Sequence, residues 1–131
     1  MELSPKTALV TGAASGIGRA TAVILAESGY RVLCSDISAE GAQKVATGLY
    51  TQGSDAMAVT ADVSDPNAVE AMVQKMIDWT GRLDVVIANA GIMEEGGLLD
   101  VSLEQWNQVM RINATGAVSY THLTLPTILL V

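Results

Sequence analysis

Short apolar runs alternate with longer amphipathic segments along this chain, and the alternation predicts strands and helices in turn. Four apolar runs, at residues 6–11, 31–36, 56–60 and 83–88, predict strands. The first and fourth runs are apolar on both faces, as strands of a parallel sheet covered on both sides must be. An α/β fold with a parallel sheet and right-handed crossovers is therefore expected.

Local signals mark where the intervening helices begin. The first helix is expected over residues 16–28, and the second follows a cap at Ser38 and ends near residue 52. The third begins at Asp65, a cap residue followed by proline, and the fourth begins at Ser102, which opens a capping box with Gln105. Apolar positions on one face of the third helix predict a core stripe and not a cofactor surface: Val69, Met72, Val73, Met76 and Ile77.

The composition narrows the classes of function that this chain can have. Half of its 131 residues are apolar, which excludes disorder, and the net charge of −7 repels nucleic acid and anionic membranes. The sequence contains no apolar stretch of membrane-spanning length. A cytoplasmic protein with neither nucleic acid nor membrane as a partner is therefore expected. The single cysteine, Cys34, is expected to be a small buried thiol.

The turn between the first strand and the first helix carries the strongest chemical signal. A strand that breaks into glycines and re-forms as a helix directs free backbone N–H groups and a helix dipole at one point, which favours a phosphate. Gly12 allows a sharp exit from the strand, Gly16 keeps side-chain bulk away from a pyrophosphate, and Gly18 lets the helix lie close to the sheet. Asp36 ends the second strand, where a carboxylate can bind a ribose and repel a 2′-phosphate, so NAD is favoured over NADP. The alternative is an ordinary tight turn with a solvated acid.

Four motifs in order support a family resemblance. Gly-x-x-x-Gly-x-Gly follows Thr11, and Asp62-Val63, Asn89-Ala90-Gly91 and Asn113 come after it. With these motifs the chain resembles the short-chain dehydrogenase/reductase family over residues 1 to about 117. The resemblance implies the N-terminal half of a doubly wound parallel-sheet Rossmann fold with strand order 3-2-1-4. It also implies that the parent enzyme transfers a hydride between nicotinamide and a small alcohol or carbonyl substrate.

The resemblance also implies roles for individual residues. The pyrophosphate would contact the glycine-rich turn, and the other parts of the cofactor would contact the later motifs: Gly12, Ser15, Gly16, Ile17 and Gly18 for pyrophosphate, Asp36 for ribose, Asp62 and Val63 for adenine, and Asn89, Ala90 and Gly91 for the sugar beside nicotinamide. Asn113 would help to hold a water on the proton-relay path, and no metal ligand is implied. Each later motif also has an ordinary interpretation: a turn acid at Asp62, an Asn/Gly turn at Asn89, and a surface asparagine at Asn113.

The last residues do not follow the family pattern. Family members continue into a strand with a catalytic serine and a helix with Tyr-x-x-x-Lys, and none of Lys6, Lys44 and Lys75 has a tyrosine four residues before it. Back-translated, residues 118–127 resemble the end of a transposon-derived adapter used in sequencing libraries. We therefore expect a partial NAD(P)-binding Rossmann domain at 1–117 and a non-native tail at 118–131, with a divergent natural C-terminus as the alternative. On this hypothesis Tyr120 and His122 belong to no active site, and the chain itself has no dehydrogenase turnover.

Two further expectations concern partners and competing functions. Without a fifth strand, the apolar fourth strand lies on an open sheet edge, which favours association with other chains, and the parent is expected to be a homo-oligomer. A nucleotide-binding module without catalysis is the main alternative function. A methyltransferase is less favoured, because its cofactor has no pyrophosphate to bind at the glycine-rich turn.

Overall fold

A computed structural model describes residues 4–97 and 99–122 of the chain. Within these residues strands and helices alternate: β1 (Thr7–Thr11), α1 (Gly16–Glu27), β2 (Arg31–Asp36), α2 (Ala39–Thr51), β3 (Ala56–Thr60), α3 (Pro66–Thr80), β4 (Val85–Ile87) and α4 (Leu103–Met110). The strands are all parallel, in the order β3-β2-β1-β4. This is the predicted α/β Rossmann-like arrangement, and in the described part of the chain β4 is an edge strand.

The two faces of the sheet are covered by different helices because successive strand residues point in opposite directions. Leu9 and Leu33 pack with the buried stripe of α3, which consists of Val69, Met72, Val73 and Met76. Val10, Val32 and Cys34 pack on the other face with small residues of α1 and α2. The predicted core stripe is thus confirmed. Burial raises the pKa of the Cys34 thiol to about 11, which keeps it protonated at neutral pH.

The helix starts predicted from capping signals are confirmed. The Ser38 hydroxyl accepts a hydrogen bond from the amide of Gly41, and the Asp65 carboxylate accepts one from the amide of Asn67. Ser102 and Gln105 form both hydrogen bonds of a capping box at the start of α4. Local side-chain chemistry therefore fixes where these three helices begin.

The fourth strand is shorter than predicted, and the residue just before it is tied to β1 through its side chain as well as its backbone. The Asp84 carboxylate accepts hydrogen bonds from the amide of Thr7 at 2.8 Å and from its hydroxyl at 3.2 Å. Burial opposes ionisation of this group, but hydrogen bonds from Arg82 and Thr7 hold the pKa of Asp84 below its ordinary value. Only Val85–Ile87 pair with β1 as a regular strand, in place of the expected residues 83–88.

The helical segment after α4 is not regular α-helix throughout. Residues Arg111–Gly116 form one turn of π-helix, and residues 117–122 are again α-helical. Tyr120 is 1% exposed and lies in the core cluster of the α3 face. The hypothesis of a non-native tail stays a prediction, which the nucleotide sequence of the source would test, and residues 123–131 of that tail lie outside the described residues.

Candidate functional site

A cavity of about 130 Å³ opens at the carboxyl ends of the strands. Six of the predicted cofactor-binding residues line it: Gly12, Asp36, Asp62, Val63, Ala90 and Gly91. The loops that follow parallel strands meet at one edge of the sheet, so residues far apart in the sequence converge there. A larger groove of about 470 Å³ lies between α1 and α2, and none of the predicted site residues lines it.

The glycine-rich turn has both a tightly packed and an open side. A Cβ added at Gly18 would lie 2.1 Å from the carbonyl oxygen of Gly12 and 2.5 Å from the Asn89 side-chain nitrogen. Gly16 has a φ of +54°, and a Cβ there would meet no protein atom within 4 Å. Gly18 is therefore required for close packing of α1 on the sheet, whereas the space beside Gly16 is open.

The N-terminus of α1 faces this open space. Ser15 is the cap residue by backbone position, but its side chain makes no capping hydrogen bond. Ile17 is 78% exposed and takes no part in the core. The first amides of α1 therefore lack a side-chain cap, and an anion could accept hydrogen bonds from them.

Asn89 joins the loop after β4 to the glycine-rich turn. Its side-chain nitrogen donates to the carbonyl oxygens of Thr11 at 3.2 Å and Gly12 at 3.4 Å. The buried Thr11 hydroxyl accepts from the amides of Asn89 and Ala90, each at 3.1 Å. The side chain of Asn89 is thus engaged with protein, and it does not line the cavity, whereas Ala90 does. Sequence reasoning missed the bridging role of Thr11, whose signal was a hydroxyl at the end of an apolar strand.

The two acids of the cavity wall accept hydrogen bonds from residues of the surrounding loops. Asp36 accepts hydrogen bonds from the amides of Ala14 and Ser38, each at 3.0 Å. Asp62 accepts from the hydroxyl of Ser64 at 2.7 Å and from its amide at 2.9 Å. These two hydrogen bonds, with the more distant charge of Arg111, lower the pKa of Asp62. The turn-acid interpretation of Asp62 therefore describes its local role, and the same carboxylate also borders the cavity.

Asn113 does not line the cavity, but it holds the loop that does. Its side-chain oxygen accepts from the amide of Ile92 at 2.8 Å, and its side-chain nitrogen donates to the carbonyl oxygen of Ile92 at 2.8 Å. A Cβ added at Gly91 would lie 3.3 Å from the Asn113 side-chain oxygen. Although exposed, Asn113 is therefore more than a solvated surface residue, because it ties the π-helical turn to the residue that follows Gly91.

Lys75 and His122 do not line this cavity. Lys75 donates from its ammonium to the carbonyl oxygen of Ala58 at 2.8 Å. His122 is exposed.

In residues 4–97 and 99–122, no three His, Cys, Asp or Glu side chains are grouped to hold a metal ion. The helices of that same part of the chain are all too short or too polar to cross a membrane.

A parallel sheet in the order 3-2-1-4, with a glycine-rich turn at the start of the helix after β1, defines the class of Rossmann-like α/β proteins. The sequence model of the family described as short chain dehydrogenase matches residues 6–130. The chain belongs to the short-chain dehydrogenase/reductase family.

Three proteins with similar sequences are named as reductases or dehydrogenases. The chain is 42% identical to versicolorin reductase stcU of Emericella nidulans over 115 residues, which cover 87% of this chain and 44% of that protein. It is 38% identical to cyclohexanol dehydrogenase of an Acinetobacter strain, over 95% of this chain and 50% of that protein. It is 39% identical to the 3-oxoacyl-[acyl-carrier-protein] reductase FabG of Staphylococcus aureus, over 85% of this chain and 46% of that protein. The chain therefore spans about half the length of the curated relatives it matches.

Proposed function

We propose that this chain is the dinucleotide-binding part of an NAD(P)-dependent oxidoreductase that acts on a small alcohol or carbonyl substrate. The observation that carries the proposal is the open space beside Gly16, which has a positive φ at the uncapped start of α1. A backbone without side-chain bulk in front of free amides suits a pyrophosphate. The cofactor, when bound, supplies the hydride, and the residues of this chain supply binding and orientation. A homo-oligomeric, cytoplasmic parent belongs to the same proposal.

The cavity next to this turn is proposed to hold the adenosine half of the cofactor. Asp36 borders both the cavity and the turn, because it accepts a hydrogen bond from the amide of Ala14 within the turn. A carboxylate fixed there can accept hydrogen bonds from ribose hydroxyls and repels a 2′-phosphate. NAD is therefore the proposed cofactor in preference to NADP. Asp62, which also lines the cavity, can accept from the adenine amino group, beside Val63.

The test is a matched pair of glycine substitutions. Gly16 and Gly53 both have a positive φ, and a Cβ at either position meets no protein atom within 4 Å. Gly16→Ala and Gly53→Ala should therefore lose similar stability, roughly 1–2 kcal/mol from the left-handed backbone alone. In calorimetric titration with ADP-ribose, only Gly16→Ala should weaken binding, by tenfold or more. Equal affinity of Gly16→Ala and the unsubstituted chain, or no binding by the unsubstituted chain, would refute the proposed site.

A second candidate function is a nucleotide-binding module without catalysis. Within these 131 residues, no tyrosine stands four positions before a lysine. A lysine one helical turn from a tyrosine lowers the pKa of the phenol and makes it a usable acid or base. We therefore propose that this chain alone does not turn over alcohols. Measurable reduction of NAD by the purified chain with any alcohol would contradict this.

A further inference from the structure

Ser35 carries a buried hydroxyl that the protein does not satisfy. It lies near the end of β2, opposite Thr11 of β1 and Val59 of β3, and the residue is 0% exposed. Its carbonyl oxygen accepts a hydrogen bond from the amide of Ala13 at 2.9 Å. Its Oγ, in contrast, has no hydrogen-bond partner among the described residues. Such a group raises the free energy of the folded protein unless something else pairs with it.

The position of Ser35 indicates where that partner would come from. Ser35 lines the cavity at the carboxyl edge of the sheet, next to Asp36. The other two polar side chains of the cavity wall are the carboxylates of Asp36 and Asp62. Asp36 already accepts hydrogen bonds from the glycine-rich turn and from its own loop, and Asp62 accepts them from its own loop. Ser35 is therefore the one polar side chain of this cavity wall whose hydrogen-bonding capacity is unused.

The chemistry of the wall specifies the kind of ligand atom. Ionised carboxylates only accept hydrogen bonds, so Asp36 and Asp62 can pair with hydroxyl and amino groups of a ligand but with none of its acceptors. Ser35 supplies a side-chain donor. Much of the remaining wall is apolar and suits a flat ring, with Ile37, Ala61 and Val63 among its residues.

We propose that Ser35 is a further cofactor-contacting residue, whose hydroxyl donates a hydrogen bond to a ring nitrogen of the bound adenine. This inference rests on the proposed function, because it takes the ligand of the cavity to be the adenosine half of the dinucleotide. Ser35 would thus pair with an acceptor of the base, while Asp62 pairs with its amino group. The two residues together would select a base that has both an amino group and an unprotonated ring nitrogen.

The test compares two neighbouring substitutions in the 131-residue chain. Ser35→Ala removes the hydroxyl, and Cys34→Ala removes a buried sulfur that faces the opposite side of the same strand. In calorimetric titration with ADP-ribose, Ser35→Ala should raise the Kd five- to tenfold, and Cys34→Ala should leave it unchanged. The melting temperature of the free Ser35→Ala protein should stay equal or rise, because an unpaired buried hydroxyl has been removed. A substitution that merely damaged the strand would lower it.

A second measurement probes the ligand atom. The unsubstituted chain is titrated with ADP-ribose analogues in which N1, N3 or N7 of adenine is replaced by a C–H group. For one of these analogues, the Kd with the unsubstituted chain should be about the same as the Kd of ADP-ribose with Ser35→Ala. Ser35→Ala itself should bind that analogue and ADP-ribose with the same Kd.

The outcomes separate this inference from the proposed function. If the unsubstituted chain binds ADP-ribose and Gly16→Ala weakens binding, but Ser35→Ala binds normally, only the role of Ser35 is overturned. The role of Ser35 is also overturned if Ser35→Ala and Cys34→Ala weaken ADP-ribose binding equally. The same holds if each analogue changes the Kd of the unsubstituted chain and of Ser35→Ala by the same factor. If the unsubstituted chain does not bind ADP-ribose, both proposals are overturned.

Discussion

Replacing Gly18 by alanine tests whether α1 packs against the sheet as closely as the structure requires. The added Cβ would lie 2.1 Å from the Gly12 carbonyl oxygen and 2.5 Å from the Asn89 side-chain nitrogen, whereas Cβ atoms essentially never approach other atoms within 3.0 Å. The nearest obstacle is backbone of the turn, which cannot rotate away as a flexible side chain could. The helix or the turn must therefore move by about 1 Å.

The expected magnitude follows from two opposing contributions. Alanine is favoured over glycine inside a helix by about 1 kcal/mol. Overpacking of a rigid site costs about 1–3 kcal/mol, and the upper end applies here because the contact is with backbone. Gly18→Ala should therefore destabilise the protein by about 2 kcal/mol net. In a chain of this size that lowers the melting temperature by roughly 7 °C.

Gly48→Ala is the matched control. Gly48 also lies within a helix, α2, but a Cβ there meets no atom within 4 Å. Only the helix-propensity gain remains, so this variant should be more stable by up to about 1 kcal/mol. Urea unfolding followed by circular dichroism measures both variants under one condition. If Gly18→Ala were as stable as Gly48→Ala, the close contact of α1 with the β1 turn would be refuted.

Three other substitutions or reactions test separate features. Asp84→Asn should lower stability at pH 7 by about 1–3 kcal/mol. Hydrogen bonds from Arg82 and Thr7 hold the folded pKa of Asp84 below its unfolded value. The difference in unfolding free energy between this variant and the unsubstituted chain should therefore shrink as pH falls below about 4. A difference that does not change with pH would contradict the role assigned to Asp84. Cys34, with a pKa of about 11, should react with iodoacetamide at pH 8 at least ~100-fold more slowly in the folded protein than in urea, by mass spectrometry. Asn113→Ala should speed hydrogen exchange at the Ile92 amide about tenfold, since that amide loses its acceptor; unchanged exchange would mean that the bond is not formed in solution.

Most of the local structure could be predicted from patterns within short stretches of sequence. Strand and helix positions follow from the spacing of apolar residues, and the starts of α2, α3 and α4 follow from cap residues whose partners are two or three positions away. The positive φ of Gly12 and Gly16 is equally local, because glycine adopts it without steric cost. The strand order came from the family resemblance, since apolar spacing does not specify which strands are neighbours.

The contacts that hold the cavity together could not be predicted in this way, because they join residues from distant parts of the chain. Asn89 bonds to Thr11 across 78 positions of sequence, and this contact exists because β1 and β4 are neighbours in the sheet. The hydrogen bonding between Asn113 and Ile92 could not be predicted from sequence spacing. The π-helical turn and the loop after β4 together set the distance between these two residues. The unused hydroxyl of Ser35 is visible only when every neighbour is in place. Local rules act over a few residues, whereas hydrogen-bond satisfaction in a buried site depends on strands brought together from the whole chain.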